Sequence, residues 1–321
     1  MKINRLQHLR TGFTLIELLV AMAITVVLLG VLVYMTGVSM DTYRDSRNEV
    51  RASRQAKEAL ETIAKDLESM VSRRDGNAYE WLYAGVDSES GTSDSTGPTG
   101  KDGQITNRAQ LLFFTSATDR YNGNVGVVGE DDGGDVSAVS YRLVFRDQIG
   151  DTDDEKHAVF SFYRHLVNPD ETFGVDSNPG LLAVDDLQST YQTNFASDGL
   201  AAANFLVENV YEFTVTFLVE YVDDNGTPND AADDFNQIER VTLMQDDSGG
   251  YQEFRLKGNK VEAIGPNSTE IEQGSIVGVE VSITVLTDRG LALAKKSGIS
   301  REDLVKKHSY HYSKLITTPR P

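Results

Sequence analysis

The 321-residue chain has no cysteine and no surplus of basic side chains: 30 Lys and Arg stand against 49 Asp and Glu, a formal charge of −19. Without cysteine there is no disulfide framework, no thiolate zinc site and no cysteine nucleophile, whichever redox compartment the chain occupies. No cluster of Lys and Arg dominates the chain as recognition of phosphate backbones requires, so nucleic acid is not an expected partner. Nucleophile-elbow (G-x-S-x-G) and phosphate-loop (G-x-x-x-x-G-K-[ST]) patterns are both missing. The acidic pairs Asp153-Asp154 and Asp246-Asp247 adjoin in turn-like surroundings that offer no pocket to separate their pKa values. The close histidines His308 and His311 have no carboxylate at a spacing typical of zinc sites, and exposed terminal histidines are the simpler reading. An enzyme is therefore not expected. The 40% apolar content suffices for a real core, and the length allows one large or two ordinary domains.

What the chain does have is one long apolar run. Phe13 to Val33 reads FTLIELLVAMAITVVLLGVLV, enough for the roughly 20 residues a helix needs to cross a bilayer. Before it lies a leader, MKINRLQHLRTG, with Lys2, Arg5 and Arg10 and no acid. A secretory signal would have a shorter apolar core and a small-residue cleavage site after it. Glu17 interrupts the run. A carboxylate in hydrocarbon costs on the order of 2.5–3.5 kcal/mol on insertion scales, which calls for a partner, a function, or a position near the membrane edge.

Gly12-Phe13-Thr14-Leu15-Ile16-Glu17 resembles the processing motif of type IV prepilins, and the basic leader and long apolar helix fit that class. The resemblance implies that prepilin peptidase cuts between Gly12 and Phe13 and methylates Phe13, leaving Glu17 as the fifth residue of the mature chain. It also implies that Glu17 pairs with the N-terminal amine of a neighbouring subunit, while Phe13, Leu15, Ile16, Leu18 and Leu19 pack against neighbouring helices. Residues 1–12 are then a removed leader, 13–38 a span or filament-core helix, 39–74 a helical spine and 75–321 a head. Arg44, Arg47, Arg51, Arg54 and Lys57 follow the span closely, so the count of flanking cations leans against a cytoplasmic leader. Large domains translocate largely regardless of that bias. The resembled peptidase works at the cytoplasmic face, which places the leader inside, the anchor in the inner membrane and the head in the periplasm.

Between Gly37 and Gly76 there is no proline or glycine, and Ala56, Leu60, Ile63, Leu67 and Met70 recur at steps of four and three. This amphipathic stripe predicts one long, gently kinked helix from about Thr14 to Arg73, whose apolar face docks on the chain's own sheet or on a partner helix. After Arg74 the period changes to two. Tyr211, Phe213, Val215, Phe217, Val219 and Tyr221 alternate with mostly polar residues, and Val277 to Val285 does the same. Shorter strands are expected at Gln110–Thr115, Val139–Arg146, Ala158–His165, Arg240–Met244 and Gln252–Leu256, with an edge strand at Tyr310 to Ile316. Ser300 is a suitable N-cap for a short helix running to Lys307. The fold class is α+β, a pilin-like long helix packed on an antiparallel sheet. Polar loops are expected at Asp87–Gly103, Gly129–Asp135, Gly150–Glu155 and Asp223–Asp234.

The head resembles the minor pseudopilin J family of type II secretion and the related pilus-assembly W family. A strand with Tyr141-Arg142-Leu143 precedes one ending Phe162-Tyr163-Arg164. Val210, Phe213 and Val215 lead into Tyr221-x-Asp223 and Gly226, and Val279, Val281 and Ile283 stand in a late valine-rich strand. Long heads also occur in the Verru_Chthon cassette group. These resemblances imply a subunit of a secretion pseudopilus or a type IV pilus, at the tip or initiation complex, with prepilin peptidase, sibling pilins and the assembly machinery as partners. Alternatives are a tip adhesin, a cargo-capturing subunit and a membrane-anchored surface protein that binds calcium. For the last, Asp223, Asn225, Asp230 and Asp233 are the candidate oxygen ligands, although Pro228 occupies the position where an EF-hand loop needs its turn glycine. No other cofactor is expected. Residues 75–321 hold 41 acids and 19 bases, so the chain's acidity belongs to the head. Such a charge keeps it soluble and away from anionic lipid.

Overall fold

The computed structural model describes residues 14–86, 107–116, 135–147, 157–169, 172, 180–191, 200–223, 235–244, 250–266, 268–272, 274–296 and 298–320. The chain divides into two compact units, Met1–Val50 and Arg51–Pro321.

One helix, α1 (Leu15–Glu68), runs unbroken through Gly30 and Gly37. Its first part is apolar all round, and the side chains of residues 15 to 40 are all exposed. From Ala52 on, the helix has a dry face: Ala52, Ala56, Ala59, Leu60, Ile63, Ala64 and Leu67 are buried in the core of the second unit. The small alanines let the helix backbone approach the sheet, and the stripe of Ala56, Leu60, Ile63, Leu67 and Met70 docks on the chain's own strands, the first of the two outcomes its spacing allows. The helix ends five residues before the expected Arg73. Beyond Glu68 the backbone turns to pair with a strand: Val71 N donates to Phe114 O (2.8 Å) and Ser116 N to Ser69 O (2.9 Å). These bonds replace the helical ones that the sequence pattern alone would have extended.

The head holds two antiparallel sheets where the sequence led us to expect one. The larger contains β1 (Glu80–Val86), β2 (Ala109–Thr115), β3 (Ser137–Arg146), β4 (Val159–Val167), β5 (Phe205–Glu208), β8 (Glu253–Lys257), β9 (Lys260–Ile264) and β10 (Thr269–Glu272), in the order β10-β9-β8-β1-β2-β3-β4-β5. The smaller contains β6 (Val210–Asp223), β7 (Phe235–Thr242), β11 (Ser275–Leu286) and β12 (Ser309–Thr317), in the order β12-β11-β6-β7. A single residue separates β5 from β6. Asn209 sits there with φ 64°, a left-handed conformation that asparagine tolerates better than most side chains. At this point the chain leaves one sheet and enters the other.

Side-chain parity shows how the layers stack. On β3 and β4, Tyr141 and Phe162 lie on one face of the large sheet, since Tyr141 pairs with Arg164 two residues beyond Phe162. Tyr141 reaches Asp66 of α1, while Phe162 meets Phe213 of β6 with ring centroids 4.9 Å apart. Phe217 and Phe254 stack across the two sheets at 4.0 Å. The helix and the small sheet therefore share one face of the large sheet. Tyr83 on the other face meets Tyr191, just after the short helix α2 (Leu187–Thr190).

The strands expected around residues 110, 139, 158, 211, 252, 277 and 310 are present, with bounds shifted by a few residues. The expected strand Arg240–Met244 starts earlier, at Phe235, because the polar Asn236 and Gln237 pair with Val222 and Tyr221 at the end of β6. Two helices, α3 (Asp288–Ala294) and α4 (Arg301–His308), join β11 to β12. Thr287 caps the first by accepting from Gly290 N at 3.0 Å, and Ser300 caps the second by accepting from Asp303 N at 3.2 Å.

Candidate functional site

Gly12 and Phe13, the expected cleavage pair, lie outside the described residues. The described residues begin at Thr14, and the first turn of α1 is a capping box. Thr14 N and Oγ1 donate to Glu17 Oε2 at 2.9 and 2.8 Å, and Glu17 N donates back to Thr14 Oγ1 at 3.3 Å. Reciprocal bonding of this kind satisfies donors that a helix N-terminus otherwise leaves open. The carboxylate that seemed misplaced in an apolar run thus has local bonds even in the isolated chain, which lowers the cost of carrying it. Leu15, Ile16, Leu18 and Leu19 surround it on the same two turns and are all exposed. An apolar surface that continues along α1 to Tyr34 and Met35 without cover is what a lipid or helix-bundle environment accepts and water does not.

The chain matches a prokaryotic N-terminal methylation motif over residues 8–33. That motif implies processing by prepilin peptidase and assembly with other pilins, and it supports a pilin-type or pseudopilin-type subunit. Together with the apolar helix it is consistent with a single-pass membrane anchor. No curated protein and no solved structure matches the chain.

The candidate calcium ligands are only partly in view. Asn225, Asp230 and Asp233 lie outside the described residues. Asp223, the last residue of β6, accepts from Gln237 Nε2 at 2.9 Å. It lines a cleft of about 590 Å³ with Glu220, Glu239 and Glu270. Two of these acids have cations of their own: Glu220 is 3.2 Å from Arg320 and Glu270 is 3.1 Å from Lys260. Among the described residues no group of three or more His, Asp or Glu side chains is arranged to hold a metal ion. His308 and His311 fall on different elements, the end of α4 and the strand β12.

Sequence reasoning missed a fully buried charge on the helix. Asp66 is fully buried on α1 and accepts from Arg164 Nε at 2.7 Å, Arg164 Nη2 at 2.9 Å and the Tyr141 hydroxyl at 2.5 Å. The bidentate arginine and the phenol occupy most of the carboxylate's acceptor sites. Burial, and next the Asp66 charge, push the Tyr141 hydroxyl well above the usual phenol range, so it stays a donor. Both partners belong to the Tyr-Arg-Leu and Tyr-Arg signatures seen in sequence, and they are cross-strand neighbours. The missing signal was there: Ala59, Ile63, Asp66 and Met70 follow helical spacing, which puts a carboxylate within an apolar face.

A second buried carboxylate ties β1 to its surroundings. Glu80 accepts from Leu187 N at 2.6 Å and from Arg255 Nη1 at 3.1 Å, with Lys257 Nζ at 3.7 Å. Burial raises its carboxyl above the ordinary range, and the Leu187 N–H and Arg255 offset part of that. Arg51 closes the lower end of the head, with Nη1 bonded to both oxygens of Asp288 at 3.0 and 2.9 Å and Nη2 to Glu208.

Proposed function

We propose that the chain is a minor pilin-like subunit, structural rather than enzymatic, of a type II secretion pseudopilus or a type IV pilus. The observation that carries this reading is the methylation motif on an unbroken helix whose first part is apolar and exposed throughout. Prepilin peptidase removes the leader on the cytoplasmic side, and the anchored subunit waits in the inner membrane with its head in the periplasm. Assembly inserts the apolar half of α1 among the helices of sibling subunits. There the Glu17 carboxylate is free to exchange one of its Thr14 bonds for the amine of a neighbour, and charge pairing in a dry bundle fixes the register because an unpaired carboxylate is expensive there. The large head and its resemblance to the J and W families favour a place at the tip, where a bulky head meets no subunit above it.

Replacing Glu17 by alanine tests the assembly step. The Glu17→Ala chain should still reach the membrane and be cleaved, but should be lost from sheared filaments or from cross-linked complexes with sibling pilins. Incorporation at the wild-type level would remove the pairing role.

A further inference from the structure

The outer face of the small sheet, the one turned away from the large sheet, differs from the rest of the head. Its residues are those of opposite parity to the core-facing Phe213, Val215 and Phe217, and on such a solvent face small polar side chains are expected. Thr214 and Thr216 on β6, Ser282 on β11 and Ser313 on β12 meet that expectation. Four large apolar residues break it. Leu315 of β12, Leu218 of β6 and Ile238 of β7 form a diagonal across the sheet, which Val222 of β6 extends. Leu315, Ile238 and Val222 are 63%, 59% and 61% exposed.

The diagonal crosses β11 at Gly278. A Cβ there would sit 3.4 Å from Leu218 Cδ1 and 3.6 Å from Leu315 Cδ1, so both leucines lean over the bare backbone and join into one patch. A contiguous apolar patch on a soluble head marks an interaction site more often than scattered single residues do.

Charge admits a second copy of the chain as the occupant. Residues 75–321 carry 41 acids and 19 bases, so two heads brought together at random repel one another. On this face, however, every described carboxylate has an arginine: Glu212 is paired with Arg301, Glu220 with Arg320 at 3.2 Å and Glu280 with Arg240 at 2.7 Å. Here alternating Arg and Glu flank the apolar diagonal and the local charge cancels, so a like-charged copy can approach without the penalty it meets elsewhere. The area also fits. The 14, 8, 12 and 9 residues of β6, β7, β11 and β12, at about 4.8 Å by 3.4 Å each, give roughly 700 Å² of projected sheet face per copy, so two copies can exceed the ~1,000 Å² of a specific interface.

We propose that this face is a self-association surface, on which a second copy of the chain packs its own small sheet, with Leu218 at the centre facing its counterpart. The pairing concerns the head alone and does not depend on leader processing or on Glu17, so it can fail while the assembly role stands, and the reverse.

The lack of native cysteine makes the test direct. Single cysteines are placed in the full-length chain at Leu218→Cys on the face and at Asp185→Cys, an exposed position next to α2 on the far side of the large sheet. Both are oxidised mildly with copper–phenanthroline in detergent and in native membranes. The expected result is a disulfide-linked dimer from Leu218→Cys and none from Asp185→Cys. Adding Ile238→Asp and Leu315→Asp should cut the dimer at least about tenfold, while the fluorescence of the buried Trp81 shows that the head remains folded. Equal linking at the two positions would mean that the membrane helices alone bring copies together, and would overturn the proposal. So would linking that survives the two aspartates, no linking at Leu218→Cys, or a Leu218→Cys adduct with a different chain, which would give the face to a sibling subunit.

Discussion

Removing the Asp66 carboxylate tests whether the spine is locked to the head by charge. In Asp66→Ala the Arg164 guanidinium, whose side chain is 14% exposed, loses both of its bonds to Asp66, and the fully buried Tyr141 hydroxyl loses its bond to the same carboxylate. Breaking one side of a buried ion pair costs about 3–5 kcal/mol, because the remaining charge keeps its desolvation penalty without its partner. A domain is stable by only about 5–15 kcal/mol, so this one change should consume a large part of the total. For a unit of this size it corresponds to a fall of about 6–20 °C in the melting temperature. The single tryptophan, Trp81, is buried in the head and packs on Phe114, so its emission follows head unfolding without a signal from the apolar part of α1. Urea titration of the full chain in detergent, followed at Trp81, should show a lower midpoint with an unchanged slope. A triple change, Asp66→Leu with Arg164→Met and Tyr141→Phe, removes every charged and polar partner together and should recover most of the loss. A loss below about 1 kcal/mol in Asp66→Ala would refute the lock, since that is the worth of an exposed pair.

Other substitutions address separate parts of the account. Asn209→Val forces a β-branched side chain into φ 64° between β5 and β6 and should cost about 1–3 kcal/mol, whereas Asn209→Gly should be close to neutral; the same urea titration separates them. Burial raises the Glu80 carboxyl, so the folded head takes up this proton before the unfolded chain does. Its contribution to stability therefore rises as pH falls from neutral through the folded pKa, and levels off below the ordinary glutamate range. Melting curves should show wild type gaining on Glu80→Gln across that interval, and a gap that widens the other way would contradict the assignment. Gly278→Val places a branched side chain 3.3 Å from the Ile316 carbonyl oxygen and where Leu218 and Leu315 converge; it should cost the head about 1–3 kcal/mol and disturb the dimer cross-link at Leu218→Cys.

The sequence made the regular, one-sided elements legible. The motif from Gly12 to Glu17, the helix stripe from Ala56 to Met70 and the alternation from Tyr211 to Tyr221 each impose a period that survives in the fold. What stayed hidden was fixed by long-range contacts. The strand β1 sits in the middle of the large sheet and is buried on nearly every residue, so Glu80-Trp-Leu-Tyr-Ala-Gly-Val shows no alternation. The short strands β5, β9 and β10 have only four or five residues each, too few for a period to stand out. The chain changes sheet at Asn209, again between β7 and β8, and again between β10 and β11, and composition announces none of these crossings. Tyr141 and Arg164 stood out as a pattern, but their role required Asp66, 75 and 98 residues earlier in the chain. The mostly unexposed strands of the small sheet also hid its open face, because Leu218 and Leu315 read as ordinary strand residues until their pairing over Gly278 was known.

The central claim is that this N-terminus is a processed, methylated anchor for assembly. Intact-mass and N-terminal peptide analysis of the chain recovered from cells that contain prepilin peptidase tests it most directly. The account predicts a mature chain that begins at Phe13 and is one methyl group heavier than the cleaved sequence, with the full-length form accumulating when the peptidase is deleted or Gly12 is changed. A chain that keeps Met1 to Gly12 in the presence of the peptidase, or one cut beyond Val33 so that the apolar helix is lost, would contradict it.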